Sequence, residues 1–182
     1  MRTRLSRQAP RTCCGKEDGN ATDAATPIRG RTLAADGRSL VGARATLITN
    51  DRTWEDNLVE APFVVERAGM FHLFYSGNAY FDGRYAVGVA RASSPLGPYT
   101  KTPDPIVTTR APWVGPGHNS VVVGPGGDDY LVYHAWREGQ VNGPGDGAWC
   151  SSIGSSGARA ARRTARRAIA RGRFRSYRDA IL

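Results

Sequence analysis

The sequence has no run approaching the roughly 18 consecutive apolar residues that a membrane-spanning helix needs, so no membrane partner is expected. Cysteine is scarce, with 3 in 182 residues: Cys13, Cys14 and Cys150. An odd count with two adjacent members excludes a disulfide framework and offers no zinc-ligand spacing. Lysine is almost missing, with 2 Lys against 23 Arg, a bias that points to GC-rich coding DNA. Residues 1–14 are Arg-rich but lack an apolar h-region, so no secretory signal is expected and localisation stays open. A helical period of 3.6 is also absent from residues 15–150, which argues against a helical domain.

What is present is turn chemistry and charge asymmetry. Gly 22 and Pro 11 favour many turns and short strands. The net charge of +9 suggests a nucleic-acid partner until its distribution is read. Residues 1–16 carry 5 basic and no acidic side chains, and residues 159–182 carry 9 Arg and a single acid, Asp179. Residues 17–158 hold 11 basic and 15 acidic side chains. The middle is therefore a mildly acidic segment with basic ends. Nine arginines can bind phosphates, but no nucleic-acid motif accompanies them, so no nucleic-acid partner is expected.

From Pro27 onward the chain reads as short strands separated by turns. The candidates are 27–34, 43–49, 58–66, 70–76, 84–92, an extended piece from 97 to 108, 120–124 and 129–136. Asp36-Gly37 suits a tight hairpin between the first two. Residues 1–14 show no recognisable element, and residues 15–26 read as a polar loop. Evenly spaced strands of this kind point to an all-β sandwich, barrel or propeller. A weak repeat at an offset of 59 superimposes Phe71–Tyr75 on Tyr130–His134 and Glu60 on Asn119. Each unit reads as an extended segment, a Gly turn and an aromatic strand, as a propeller blade requires. The tail 159–178 is Ala- and Arg-rich and has helical propensity, but it has no wide apolar stripe to bury.

Glu60 interrupts an apolar strand start, Leu58-Val59-Glu60-Ala61-Pro62. A carboxyl group there is poorly solvated, which favours the protonated form that a general acid needs. A strand-edge Glu paired with an Arg fits the same residues. His118 follows Gly115-Pro116-Gly117, where a turn histidine bonded to backbone fits equally well. Tyr75 reads as core, and strand alternation places Phe71, Leu73 and Tyr75 on one face with His72 exposed on the other.

The order WE-x-x-L-VEAP, FHLFYSGN-x-Y, Y-A-V-G-V-A, SSPLGPY, GPGHNSVV and YLVYHAW resembles glycoside hydrolase family 43. Upstream, GKEDGNATDAATPI and LAADGRSLVG resemble the loop and hairpin that precede that region. The resemblance covers about residues 15–149. It implies a five-bladed β-propeller that hydrolyses arabinose- and xylose-containing poly- or oligosaccharides with inversion. It makes Glu60 the general acid, and it makes Trp54, Asn78 and Tyr80 candidates to line a sugar pocket, since aromatic faces stack on sugar rings and carboxamides bond hydroxyls; core packing is the alternative for each. It places His118 near the propeller axis, beside a calcium-like cation or a water cluster.

The departures set further expectations. An inverting hydrolase pairs its acid with a second carboxylate that activates water, about 6.5–9.5 Å away. The resemblance puts that base, and an Asp that tunes the acid, upstream of the KEDGN-like loop. MRTRLSRQAPRTCC carries neither motif, and Asp18 and Asp23 match neither. The expected organisation is an unmatched segment 1–14, about three propeller blades over 15–150, and a basic tail 151–182 that is irregular or helical. Both ends read as out-of-frame products around a propeller fragment of weak or no activity. Such a fragment is expected to be marginally stable, because open sheet edges and apolar faces face water. A non-catalytic carbohydrate-binding β-module is the alternative.

Overall fold

The computed structural model describes residues 11–22, 24–142 and 149–154. Ten strands form three antiparallel sheets, and there is no α-helix among the described residues. The first sheet contains β1 (Thr12–Lys16), β2 (Ile28–Leu33) and β3 (Leu40–Ile48) in that order. The second runs β4 (Val59–Arg67), β5 (Met70–Gly77), β6 (Ala86–Ala92) and β7 (Thr100–Lys101). The third orders β8 (Trp113–Val123), β9 (Asp129–Arg137) and β10 (Trp149–Gly154) as β10-β9-β8. Each sheet is a meander of consecutive strands, so every pairing is antiparallel.

The turn signals sit where the strands reverse. Gly37 takes φ 71° between β2 and β3, and Gly69 takes φ 77° between β4 and β5. Both values lie in the left-handed region that glycine enters without a Cβ clash. The repeat at offset 59 is a repeat of structure: it carries β5, starting at Met70, onto β9, starting at Asp129.

Several boundaries differ from the sequence reading. Thr12–Lys16 is a strand, although residues 1–14 showed no element and 15–26 read as loop. Its partner β2 supplies the order through a continuous register from Thr12↔Thr32 to Lys16↔Ile28. The last described strand, Trp149–Gly154, crosses the expected boundary at residue 150. The extended piece 97–108 yields only the two residues of β7 and a single bridge, Val87↔Val107. The expected tail beyond residue 154 and the segment 1–10 lie outside the described residues.

The second sheet lies between the other two. On one side Ile28, Leu47 and Ile48 of the first sheet pack on Val59, Leu73, Tyr75 and Ala90. On the other, Phe74, Val87 and Val89 pack on Val121, Leu131, Tyr133 and Ala135 of the third. Alternation along β5 thus sends Leu73 and Tyr75 to one core and Phe74 to the other. Each such side chain contributes about 1.5–3 kcal/mol relative to exposure. A strand buried on both faces has no wet side, which corrects the expectation for His72: it is buried, 2% exposed. Burial holds its imidazole below the usual histidine range, with the Arg91 and Arg67 charges acting the same way.

A buried ion pair joins the first two sheets. Glu55 ends the 3-10 turn Thr53–Glu55, and its side chain has no exposure. Lys101 Nζ donates to both of its carboxylate oxygens at 2.7 Å, to Asp51 Oδ1 at 3.0 Å and to the Thr49 carbonyl. Tyr75 O–H donates to Glu55 Oε1 at 2.7 Å, and the Arg52 backbone N–H donates to Oε2 at 3.0 Å. Burial first, and then the Glu55 carboxylate, pushes the Tyr75 phenol well up from its ordinary value. Removing one member of such a pair leaves the other charged and uncompensated. Lys101→Met is therefore expected to lower stability by about 3–5 kcal/mol, and Glu55→Gln by less, because the amide keeps the shape. Urea unfolding followed by tryptophan fluorescence measures both; an unchanged midpoint for Lys101→Met would contradict the assignment.

Candidate active site

Glu60 is the second residue of β4 and pairs with Ser76 near the end of β5. The ladder slips between Glu60 and Phe63, where Ala61 takes φ 50°. Pro62 fits this bulge because it has no N–H for a ladder to require. The extra residue reverses the alternation. Val59 and Val64 face the first sheet, while Phe63 and Val65 face the third. A non-glycine residue in the left-handed region costs about 1–2 kcal/mol. Such strain persists where the surroundings over-determine it.

The first and second sheets meet at Glu60. Tyr85, just before β6, donates its O–H to Glu60 Oε1 at 2.6 Å. Lys16, at the end of β1, places Nζ 3.4 Å from Oε2 and 3.2 Å from Asp18 Oδ1. The Glu60 side chain is 19% exposed, so water and small molecules reach it. Its Oε1 is committed to Tyr85, and Oε2 is the more loosely held oxygen. Burial, reinforced by the Glu60 charge, pushes the Tyr85 phenol well above its ordinary value, so it acts as a donor throughout the neutral range.

Behind Tyr85 stands a column of rings. His134 of β9 stacks on Tyr85 at 5.6 Å between centroids, and His118 lies 6.1 Å from His134. Gly117 makes this possible: a Cβ there would fall 1.9 Å from Tyr85 Cε1. His118 is exposed, with φ 50°, and its backbone N–H donates to Ser76 Oγ at 2.8 Å. So Glu60 and His118, expected from the sequence, are brought to one region through Ser76 and Tyr85. Asn119, the repeat counterpart of Glu60, is buried, and neither atom of its amide has a partner among the described residues.

Two expected pocket residues are placed elsewhere. Trp54 stacks on Tyr75 at 5.8 Å and packs in the core shared with the first sheet, on the far face of the second sheet from Phe74 and Val87. The absence of side chains at Gly77 and Gly88 opens the slot for its indole. Asn78 is 4% exposed and donates its amide to the Trp54 carbonyl, while its oxygen accepts from Ala79 N–H. It is a turn cap, consistent with its φ of 72°. Tyr80 is 47% exposed and stays available. Sequence reasoning missed Lys16 and Tyr85. Both lie in the quoted motifs GKEDGN and Y-A-V-G-V-A, and only the folded sheets bring them to Glu60.

A cation beside His118 needs more ligands than the described residues bring. A calcium-like ion takes six to eight oxygens. Among the described residues no group of three His, Cys, Asp or Glu side chains converges. His118 supplies one imidazole, so the described residues alone do not fit a calcium cage.

The sequence pattern described as "Glycosyl hydrolases family 43" matches residues 14–150. The beta-D-galactofuranosidase of Aspergillus niger is 36% identical over 80 residues, 43% of this chain and 24% of that protein. A thermostable family-43 glycoside hydrolase superposes with a TM-score of 0.65 at 32% identity, covering 71% of this chain and 44% of that one. The alpha-L-arabinofuranosidase from Lactobacillus brevis does so with a TM-score of 0.65 at 27% identity, covering 76% and 45%. The chain thus spans less than half the length of these relatives. The three sheets are blades of a partial β-propeller.

Two predictions follow from the ring column. Tyr85→Phe removes a donor to a carboxylate and should cost about 1.5–3 kcal/mol in urea unfolding, with no change in the strand content seen by circular dichroism. The second concerns pH. Burial holds His134 below the usual histidine range, the neighbouring His118 acts in the same direction and Glu60 opposes. The unfolded chain then binds more protons than the folded chain as pH falls below the ordinary value of 6.5. The stability due to the neutral ring is present above that pH and is lost below it, and His72 acts alike. Thermal melts at about pH 7.5 and 5.5 should show the lower midpoint at acid pH. The gap should narrow in His134→Gln.

Proposed function

The chain belongs to glycosyl hydrolase family 43, and on that premise we propose that its site serves glycosidic bond hydrolysis in arabinose- and xylose-containing poly- or oligosaccharides. The observation that carries this reading is the contrast between two glutamates five residues apart. Glu55 is fully enclosed and both its oxygens are occupied by Lys101. Glu60 is open to solvent and holds only Oε1 in a short hydrogen bond.

Glu60 is the general acid in this reading. Tyr85 fixes the carboxyl plane through Oε1, so the transferable proton sits on Oε2. As the glycosidic bond breaks, that proton passes to the leaving oxygen, and Glu60 is left as a carboxylate beside Lys16. Inversion also requires a base that activates water on the opposite face of the sugar. No described residue matches the base motif, and this favours a second reading in which the chain binds glycan without turnover. His118 stays the proposed neighbour of a cation, toward which the described residues would bring this one imidazole.

Hydrolysis of aryl α-L-arabinofuranosides, aryl β-D-xylosides and linear arabinan, by the chain and by Glu60→Gln, tests the proposal. Loss of the acid should lower the rate by about 10²–10⁴-fold. Equal rates in the two proteins would remove Glu60 from the role. Glycan binding without turnover in a folded sample would select the second reading.

A further inference from the structure

The connection between β5 and β6 displays two aromatic rings beside the site. Tyr80 is 47% exposed and Phe81 is 53% exposed, and they meet edge to face with centroids 5.4 Å apart. The topology fixes their position. Glu60 pairs with Ser76, and the chain leaves β5 at Gly77, so Tyr80 and Phe81 lie at the same end of the sheet as Glu60. The loop ends at Tyr85, which is bonded to Glu60 Oε1. Exposed aromatic pairs are uncommon, because water rejects their faces.

The exposure does not come from a loose loop. Asn78 N–H donates to the carbonyls of Glu55 and Leu58 at 2.9 and 3.2 Å. Trp136 Nε1–H donates to the Tyr80 carbonyl at 2.7 Å. Asp82 accepts from the Arg84 backbone N–H at 2.8 Å and from its guanidinium at 2.5 and 2.8 Å. Thr109 O–H donates to the Gly83 carbonyl at 2.9 Å. Both ends and the middle of the loop are tied to neighbouring elements, and the two rings and the Arg84 guanidinium are left facing solvent. Rigid aromatic side chains lose little conformational freedom on binding, which suits them to a contact surface.

We propose that Tyr80 and Phe81 form an aromatic platform for a second sugar ring, on the leaving-group side of the bond that Glu60 protonates. This deepens the reading of Glu60 as the acid and rests on it. A pentose ring has an apolar C–H face that an aromatic ring covers and a hydroxyl rim that needs polar partners. The Asp82–Arg84 pair supplies such partners two and four residues from Tyr80. The platform would favour oligosaccharides over single sugars and set how the chain beyond the cleaved bond is gripped. Phe81 is the residue that neither the VEAP-like nor the GPGH-like motif points to.

Binding of linear arabino- and xylo-oligosaccharides, measured by calorimetry on the full chain, tests the platform. Phe81→Ala and Tyr80→Ala, both exposed ring truncations, are compared with Met70→Ala, and near-ultraviolet circular dichroism checks the fold of each. The expected result is about tenfold weaker oligosaccharide binding in each ring variant. Met70→Ala, at the opposite end of β5 from the loop, should keep wild-type binding, and Phe81→Ala should weaken binding of oligosaccharides more than that of free arabinose or xylose. Wild-type affinity in both ring variants would overturn the platform and leave the acid reading standing. A folded wild-type chain that binds no glycan would overturn the carbohydrate reading, and the platform with it.

Discussion

The buried pairing of Glu55 with Lys101 is the constraint on which the rest of the site depends. The two residues are 46 positions apart, and both are enclosed. A charge in that position is tolerated only when every lone pair and proton is matched. Thr49, Asp51, Tyr75 and the Arg52 backbone complete the matching. The network therefore fixes the end of β3, the 3-10 turn, the middle of β5 and β7 together. The Glu55 carbonyl then accepts from Leu58 N–H and Asn78 N–H. The start of β4, which bears Glu60, and the loop bearing Tyr80 and Phe81 both hang from one backbone oxygen. A loss at Lys101 would be felt at the site even though Lys101 never touches it.

That arrangement separates two carboxylates that look alike in sequence. WE-x-x-L-VEAP contains both, and each follows an apolar or aromatic residue. Glu55 has its oxygens saturated by a cation, a phenol and a backbone N–H, so it has no proton to give and no route to solvent. Glu60 faces an opening where one phenol and one ammonium approach from different sheets. The chemistry of a proposed proton donor comes from this incomplete satisfaction. A fully satisfied buried network rigidifies, whereas a partly open one can exchange a partner for a substrate.

Local signals were legible in the sequence, and cross-sheet relations were not. The Asp36-Gly37 turn, the strand of Met70–Gly77 and the 59-residue repeat all appear in the folded chain, because turn chemistry and alternation act over a few residues. Glu60 was visible as a carboxylate in an apolar run. Alternation also put Leu73 and Tyr75 on one face. What alternation cannot say is whether the opposite face is wet, and so His72 was misplaced. Trp54 and Asn78 are ambiguous for a related reason. An aromatic and an amide next to a motif suit a pocket, but they suit a core slot and a turn cap equally well, and Gly77 and Gly88 decide the matter from another strand. Lys16 was hidden because β1 has no period of its own and gains its order from β2.

The bulge at Ala61-Pro62 shows how a strained backbone and an accessible acid go together. Without the inserted residue, Val59, Ala61, Phe63 and Val65 would share one face, and Glu60 and Val64 would share the other. With it, Phe63 and Val65 turn to the third sheet, and Val64 joins Val59 against the first. Glu60 is the last residue before the switch and so escapes both cores. The same device recurs one blade on. The ladder of β8 with β9 slips between Gly117 and Ser120, and His118 takes φ 50° there. In both sheets the irregularity lies in an edge strand. The energetic cost of about 1–2 kcal/mol at each left-handed residue is small beside the packing that the flanking strand recovers. This explains why the strain can persist at the positions where the proposed chemistry needs it.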